Sequence, residues 1–246
     1  MAYQLYIFDL DGTLFLGEEP IPGAADALQR LRQAGAKVRF LTNNSSQTRE
    51  TYAAKLVRLG FEASPGEVYS SAIGTVAYLR QESLASAFVV GEPGLKGTLQ
   101  SSGVDTTGTD PQAVVVGICK SFTYDVLTEA MHHIRKGARF VATNTDPTYP
   151  VEGGQFIPGS GSLVAAVRTC AEAEPFVVGK PNPFLVELIL RDSQTSPEHA
   201  LVVGDRLDTD IAAGVGARCS TLLVGTGARM TPPDGQAWLP SVAALG

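Results

Sequence analysis

The stretch "YIFDLDGTLF", Tyr6 to Phe15, sets Asp9 and Asp11 one residue apart at the end of an apolar run patterned as a buried strand. A carboxylate there is costly unless something pairs with it. Two further apolar runs end in the same way. "VRFLTNNS" leads to Thr42 and Asn43, and "LVVGDRLDTDI" leads to Asp205, Asp208 and Asp210. Any single cluster has an ordinary explanation as a helix cap, because Asp, Thr and Asn are favoured caps. Three clusters at equivalent strand ends do not. In a parallel α/β sheet the ligand crevice lies beyond the carboxyl ends of the strands, so neighbouring strands would gather these acids. Two carboxylates about 4 Å apart repel by roughly 4 kcal/mol at an effective dielectric near 20. Protonating one acid, pairing it with a cationic side chain or binding a metal would each relieve this. Oxygen donors without His or Cys point to a hard ion, and Mg²⁺ is the natural choice. Lys180, in "VVGKPNP", follows another apolar run and precedes a rigid turn. That position favours a charge-balancing role over the usual reading of a lysine as a solvated loop residue.

The elements that must position these residues follow a regular rhythm. "YQLYIF" and "KVRFLT" read as strands, and "RETYAAKLVRLG" reads as a helix. "GAADALQRLRQAG" places Ala24, Ala25, Leu28 and Leu31 on one helical face. A βαβα order implies a parallel sheet covered by helices. After "VYSSAIGTVAYLRQE" the rhythm restarts through "SAFVVG", "AVVVGI", "TYDVLTEAMHHIRKG", "RFVATN" and "SLVAAVRTCAEA". In the long helix of that series Val126, Leu127, Ala130, Met131 and Ile134 share a face, while His132 and His133 are expected to be partly exposed. "PFVVG", "NPFLVELILRD", "ALVVGD" and "STLLVG" then resume the first pattern. The Pro- and Gly-rich tail "TGARMTPPDGQAWLPSVAALG" is expected to wrap the surface.

Composition narrows the classes of function. The 246 residues carry a net charge of -6, with 44% hydrophobic and 18% charged residues, as in soluble globular proteins. No Lys/Arg cluster suggests a nucleic-acid groove, and no apolar run is long enough to span a bilayer. "MAYQLY" lacks the basic start and apolar core of a secretory signal. Cys119, Cys170 and Cys219 are odd in number and widely spaced, which suggests reduced thiols in a cytoplasmic protein.

"DLDGT" (Asp9 to Thr13), Thr42, Lys180 and "GDRLDTD" (Gly204 to Asp210) occur in an order that resembles the four motifs of the haloacid dehalogenase superfamily. "FTY" (Phe122 to Tyr124), "ATNTDPTYP" (Ala142 to Pro150), "PGSGSLVAA" (Pro158 to Ala166) and "VGKPNP" resemble its NagD-like, 4-nitrophenylphosphatase-like branch. The resemblance is loosest over Ser83–Gln112 and after Met230. It implies an α/β fold: a Rossmann-like, doubly wound parallel sheet formed by residues 1–75 and 176–246, with a smaller α/β cap inserted at 76–175. In one departure, Cys119 and Lys120 stand in "VGICKSFTY" where the branch often carries an acidic residue.

The resemblance also implies a chemistry. Asp9 would attack phosphorus and form an aspartyl-phosphate, while Asp11 would serve as general acid and then as general base. Mg²⁺ would be held by the Asp9 carboxylate, the Asp11 backbone carbonyl and Asp205. Asp210 would hold Lys180 or a metal-bound water. Thr42, the Asn43 backbone and Lys180 would bind the phosphoryl oxygens. Asp208 has no clear family role and reads as a cap or an exposed acid. Phe122, Thr123, Tyr124, Asn144, Asp146 and Glu152 are candidates for reading the leaving group. Thr123 equally suits a helix cap, and Phe122 and Tyr124 equally suit packing. The expected partner is a small phosphomonoester, with neither nucleic acid nor membrane, and a homodimer is compatible. A dehalogenase would need neither Mg²⁺ nor an acid at position 11. A phosphomutase or a non-catalytic phosphate-binding protein would share the fold, but the large cap and the filled catalytic positions favour a hydrolase.

Overall fold

A computed structural model describes residues 3–150, 155–227, 232 and 234–245. The chain divides into two compact units. Met1–Thr42, Arg49–Tyr69 and Lys180–Gly246 form the first, and Asn43–Thr48 with Ser70–Gly179 form the second.

In chain order the first unit begins with β1 (Leu5–Asp9), the short antiparallel pair β2 (Phe15–Leu16) and β3 (Glu19–Pro20), and helix α1 (Ala24–Gln33). It continues with β4 (Lys37–Thr42), α2 (Arg49–Arg58) and β5 (Val68–Ser70), whose last residue opens the second unit. That unit contains α3 (Ser71–Gln81), β6 (Ala87–Val90), α4 (Pro93–Ser101), β7 (Ala113–Val116), α5 (Tyr124–Arg135) and β8 (Arg139–Ala142). It ends with β9 (Thr148–Pro150), β10 (Phe156–Pro158), α6 (Ser160–Ala171) and β11 (Phe176–Val177). The chain then returns through α7 (Phe184–Ser193), β12 (Ala200–Gly204), α8 (Ala212–Gly216), β13 (Ser220–Val224) and β14 (Trp238–Leu239).

The first unit is built on a six-stranded sheet ordered β14-β13-β12-β1-β4-β5. β1 lies at its centre and pairs in parallel with both β12 and β4. Every residue of β1 and of β12 is buried, as expected of central parallel strands covered on both faces. The alternation of α1 buries Ala24, Ala27, Leu28 and Leu31 against that sheet. Each such leucine contributes about 1.5–3 kcal/mol by leaving water. The tail does more than wrap the surface. Trp238 and Leu239 extend the sheet beside β13, and Val242 is buried in the core.

The second unit carries its own four-stranded parallel sheet, ordered β11-β8-β7-β6. Its core gathers Val114, Val116, Phe140 and Ala142 from the strands with Ala130, Ile134, Val164 and Val167 from the helices. Val126, Leu127 and Met131 pack against that core, as their spacing predicts. His133 differs from expectation. It is only 9% exposed, lies against the Phe88 ring and sits 3.7 Å from Glu129, whereas its neighbour His132 faces solvent. Adjacent helical positions diverge by about 100°, so a histidine pair cannot share one environment.

Glu67 ties the first unit together beside β5. Its carboxylate accepts from Arg32 Nη1 at 2.7 Å and from the Ser64 backbone N–H at 2.9 Å. Burial alone would push the Glu67 carboxyl up, but the Arg32 and Ser64 hydrogen bonds outweigh it and hold it below the usual glutamate value. A group lowered in this way stabilises the fold above its unfolded pKa of about 4.3, and that stability is lost as pH falls through the folded value. Glu67→Gln should therefore cost about 1–2 kcal/mol at pH 7, with the gap to wild type closing in urea melts below about pH 4. A gap independent of pH would assign the loss to packing instead.

Candidate active site

Asp9 is the last residue of β1 and is buried. The chain then turns sharply, with the Leu10 carbonyl accepting from the Leu14 N–H at 2.9 Å and Gly12 N–H donating to the Phe15 carbonyl at 2.9 Å. Asp11 therefore lies outside the strand, bridged to Phe15 and reached by solvent. Gly12 makes the turn possible. Its φ is +89°, and a Cβ there would stand 2.7 Å from Asp205 Cγ.

Asp205 directly follows β12, the strand beside β1, and Thr42 closes β4 on the other side. Both are buried. Asp210 sits in a π-helical turn, Leu207–Ile211, and folds back so that Oδ2 accepts from the Arg206 N–H at 3.1 Å. One carboxylate oxygen from each of Asp9, Asp205 and Asp210 lies within 4.8 Å of the others. Lys180 completes the cluster. Its buried ammonium donates to Asp9 Oδ1 at 2.5 Å and to Asp210 Oδ1 at 2.6 Å. Asp208 is exposed and pairs with the Arg206 guanidinium through both carboxylate oxygens, at 3.1 and 2.8 Å.

The electrostatics follow from this packing. Burial pushes the Asp9 carboxyl up; Lys180 pulls it down, and Asp210 and Asp205 push it further up, so it stays well above the usual aspartate value. Burial by itself would lower the Lys180 ammonium, but Asp210 and then Asp9 reverse this and hold it above the ordinary lysine range. Although Asp11 reaches solvent at its surface, the protein atoms crowded around its carboxyl raise it, against the pull of Lys55 and Lys180. With all groups ionised, three carboxylates face one ammonium and leave two negative charges. A divalent hard cation fits both that charge and the all-oxygen donor set. Asp210 already has each oxygen engaged by Lys180 or Arg206, which leaves Asp9 and Asp205 as the better side-chain donors.

Residues expected to read a leaving group lie in the second unit and divide sharply. Thr123 caps α5, its Oγ1 accepting from the Val126 N–H at 3.3 Å, and Phe122 packs against the core. Tyr124 is 82% exposed. Asn144 and Asp146 turn to Asn43, with Asn144 Nδ2 donating to the Asn43 carbonyl at 2.6 Å and Asn43 Nδ2 donating to Asp146 Oδ2 at 3.0 Å. Glu152 lies outside the described residues. One contributor to the first unit's site escaped the sequence reading. Thr226, beyond β13, donates from Oγ1 to the Gly12 carbonyl at 2.5 Å and so braces the turn that carries Asp11. Its position at the end of another apolar run was the available signal.

A model of haloacid dehalogenase-like hydrolases matches residues 6–105, and a second HAD-hydrolase-like model matches residues 177–240. Human glycerol-3-phosphate phosphatase is 39% identical over 251 residues, covering 90% of this chain and 78% of the relative. The chain belongs to the haloacid dehalogenase-like hydrolases. Within that family, the NagD structure from Escherichia coli superposes with a TM-score of 0.92 at 34% identity, covering 100% of this chain and 99% of NagD. A glycerol phosphate phosphatase of Mycobacterium tuberculosis, solved in complex with magnesium, reaches a TM-score of 0.88 at 35% identity, covering 99% of this chain and 77% of that one. This hydrolase is a phosphatase, and no helix among its described residues is long and apolar enough to cross a membrane.

The buried cluster makes opposite demands on two of its members. Lys180→Met strands Asp9 and Asp210 without their cation, and a loss of about 3–5 kcal/mol in folding free energy is expected. Asp9→Asn removes one of three crowded negative charges, so in chelator it should melt no lower than wild type. Thermal melts of both variants in EDTA check this. An Asp9→Asn protein as unstable as Lys180→Met would contradict the charge balance described here.

Proposed function

We propose that the enzyme hydrolyses a small phosphorylated metabolite through a covalent phosphoryl-aspartate on Asp9, with Mg²⁺ as cofactor. The observation that carries this reading is the buried cluster in which Lys180 bridges Asp9 and Asp210 while Asp205 stands within metal-sharing distance. Such a cluster makes little sense as structure alone, because burying three acids around one lysine costs more than apolar packing of the same volume.

In this reading an Asp9 carboxylate oxygen attacks phosphorus in line with the leaving oxygen, and the P–O bond to the alcohol breaks as the bond to Asp9 forms. Asp11 gives its proton to the departing alkoxide. Its raised pKa favours the protonated form needed for that step. The same carboxylate then takes a proton from water, which attacks phosphorus and releases phosphate and free Asp9. Lys180, the Thr42 hydroxyl and the Asn43 N–H hold the phosphoryl oxygens, where negative charge must be balanced throughout. Asp9, the Asp11 carbonyl and Asp205 would hold Mg²⁺, which when bound supplies the positive charge that the carboxylates and phosphoryl oxygens lack.

The named relatives act on glycerol 3-phosphate, dihydroxyacetone phosphate and nucleotides. The substrate class proposed here is accordingly a small phosphomonoester of an alcohol. Purified enzyme should release phosphate from such esters with Mg²⁺ and stop in EDTA, with activity restored by excess Mg²⁺. Asp9→Asn should lose at least about 10³-fold in turnover while keeping its fold by circular dichroism. Wild-type rates from Asp9→Asn, or full turnover in EDTA, would overturn the assignment.

A further inference from the structure

The loop that follows β8, "TNTDPTY" (Thr143 to Tyr149), is bonded along the segment that follows Thr42. Asn144 Nδ2 donates to the Asn43 carbonyl at 2.6 Å, and Ser71 Oγ, in the first turn of α3, donates to the same oxygen at 2.5 Å. The Asn43 side chain is held separately, through Nδ2 to Asp146 Oδ2 at 3.0 Å. One residue on, Asn44 Nδ2 donates to the Tyr149 hydroxyl at 2.9 Å. Both ends of the Asn43 residue, main chain and side chain, are thereby fixed from within the second unit.

Asn144 is 6% exposed, and its Oδ1 is buried without a hydrogen-bond partner among the described residues. A buried acceptor left unpaired is costly, so this side chain is kept for the N–H that it gives Asn43. The same loop also meets the chain where it returns to Lys180. Gly179 N–H donates to the Thr143 carbonyl at 2.8 Å, and a Cβ at Gly179 would stand 2.6 Å from Asn43 Oδ1. Asn43 and Gly179 are the covalent neighbours of Thr42 and Lys180. The Asn43 main chain, whose N–H is one of the proposed phosphate-holding donors, is held by hydrogen bonds within its own unit.

We propose that Asn144, supported by Ser71 and Asp146, is a positioning residue for the Asn43 main chain, whose N–H is proposed above to hold a phosphoryl oxygen, rather than a reader of the leaving group. This rests on the phosphatase reading above. A leaving-group reader must keep a donor or acceptor aimed at substrate. Asn144 gives an N–H to the main chain, and its Oδ1 is shut from solvent.

The two roles predict different kinetics. Asn144→Ala, and the isosteric Asn144→Asp that has no N–H to give, should each lower kcat/KM by about tenfold or more. The factor should be the same for 4-nitrophenyl phosphate and for glycerol 3-phosphate, whose leaving groups share nothing but the ester oxygen. Competitive inhibition by inorganic phosphate should weaken in parallel. Asp146→Ala removes the acceptor for Asn43 Nδ2 and should lower kcat/KM for both esters by the same factor. Where Asn144→Ala fails to fold, Ser71→Ala removes the other donor to the same carbonyl and carries the same expectation. A loss confined to glycerol 3-phosphate with phosphate inhibition unchanged would overturn the proposal, as would lowered melting with unchanged kinetics. Calorimetric binding of inorganic phosphate in Mg²⁺ needs no turnover. It therefore tests the positioning role even if Asp9→Asn shows that the covalent mechanism is wrong.

Discussion

A buried ammonium bridging two buried carboxylates governs the architecture of the first unit. Lys180 reaches Asp9 across 171 residues of sequence and Asp210 across 30. Neither contact is local, so the chain must return from the second unit to the sheet that it left for the cluster to exist at all. The energetics are one-sided. Desolvating these groups costs several kcal/mol per ion, and only mutual attraction with good hydrogen bonds recovers it. Gly12 and Thr226 serve the same end, one by letting the chain turn close to Asp205 and the other by bracing that turn. An arrangement so expensive as structure fits the proposed reading, in which a cation and a phosphoryl group would balance the charges that the protein leaves unbalanced.

Much of that site was legible because strand ends in a parallel sheet are few and their polar residues stand out. Asp9, Thr42, Asp205 and Asp210 each follow an apolar run, and the structure places β1 between β4 and β12 with those ends adjacent. The α1 and α5 faces could be read because helical periodicity is a local property. What could not be read was set by long-range contacts. Nothing in "NNSSQT" announces that Asn43–Thr48 clusters with a unit that otherwise begins at Ser70. The strand at Trp238–Leu239 is two residues long in a Pro- and Gly-rich tail, too short for alternation to show. The burial of His133 depends on the Phe88 ring, 45 residues earlier in the chain.

Asn144 and Asp146 show how a motif's residue types leave open the kind of work they do. Their residue types suit recognition of a polar leaving group, and sequence alone has no means of seeing that Asn43 occupies their hydrogen bonds. Side-chain amides and carboxylates serve main-chain positioning and ligand binding with the same atoms, so only the partner distinguishes the two.

The division between the units also separates two kinds of chemistry. Asp9, Asp11, Asp205, Asp210 and Lys180 all belong to the first unit, on or beside strands of a sheet whose central residues are fully buried. Such strands hold charged groups rigidly, as stabilisation of developing charge requires. Of the second unit's candidate residues, Asn144 is neutral, Asp146 accepts from Asn43 and Tyr124 is exposed. In the proposed reaction the charged groups of the first unit act on the phosphoryl group that many esters share, so one centre can serve different alcohols. The relatives at 37–39% identity carry correspondingly different substrate names.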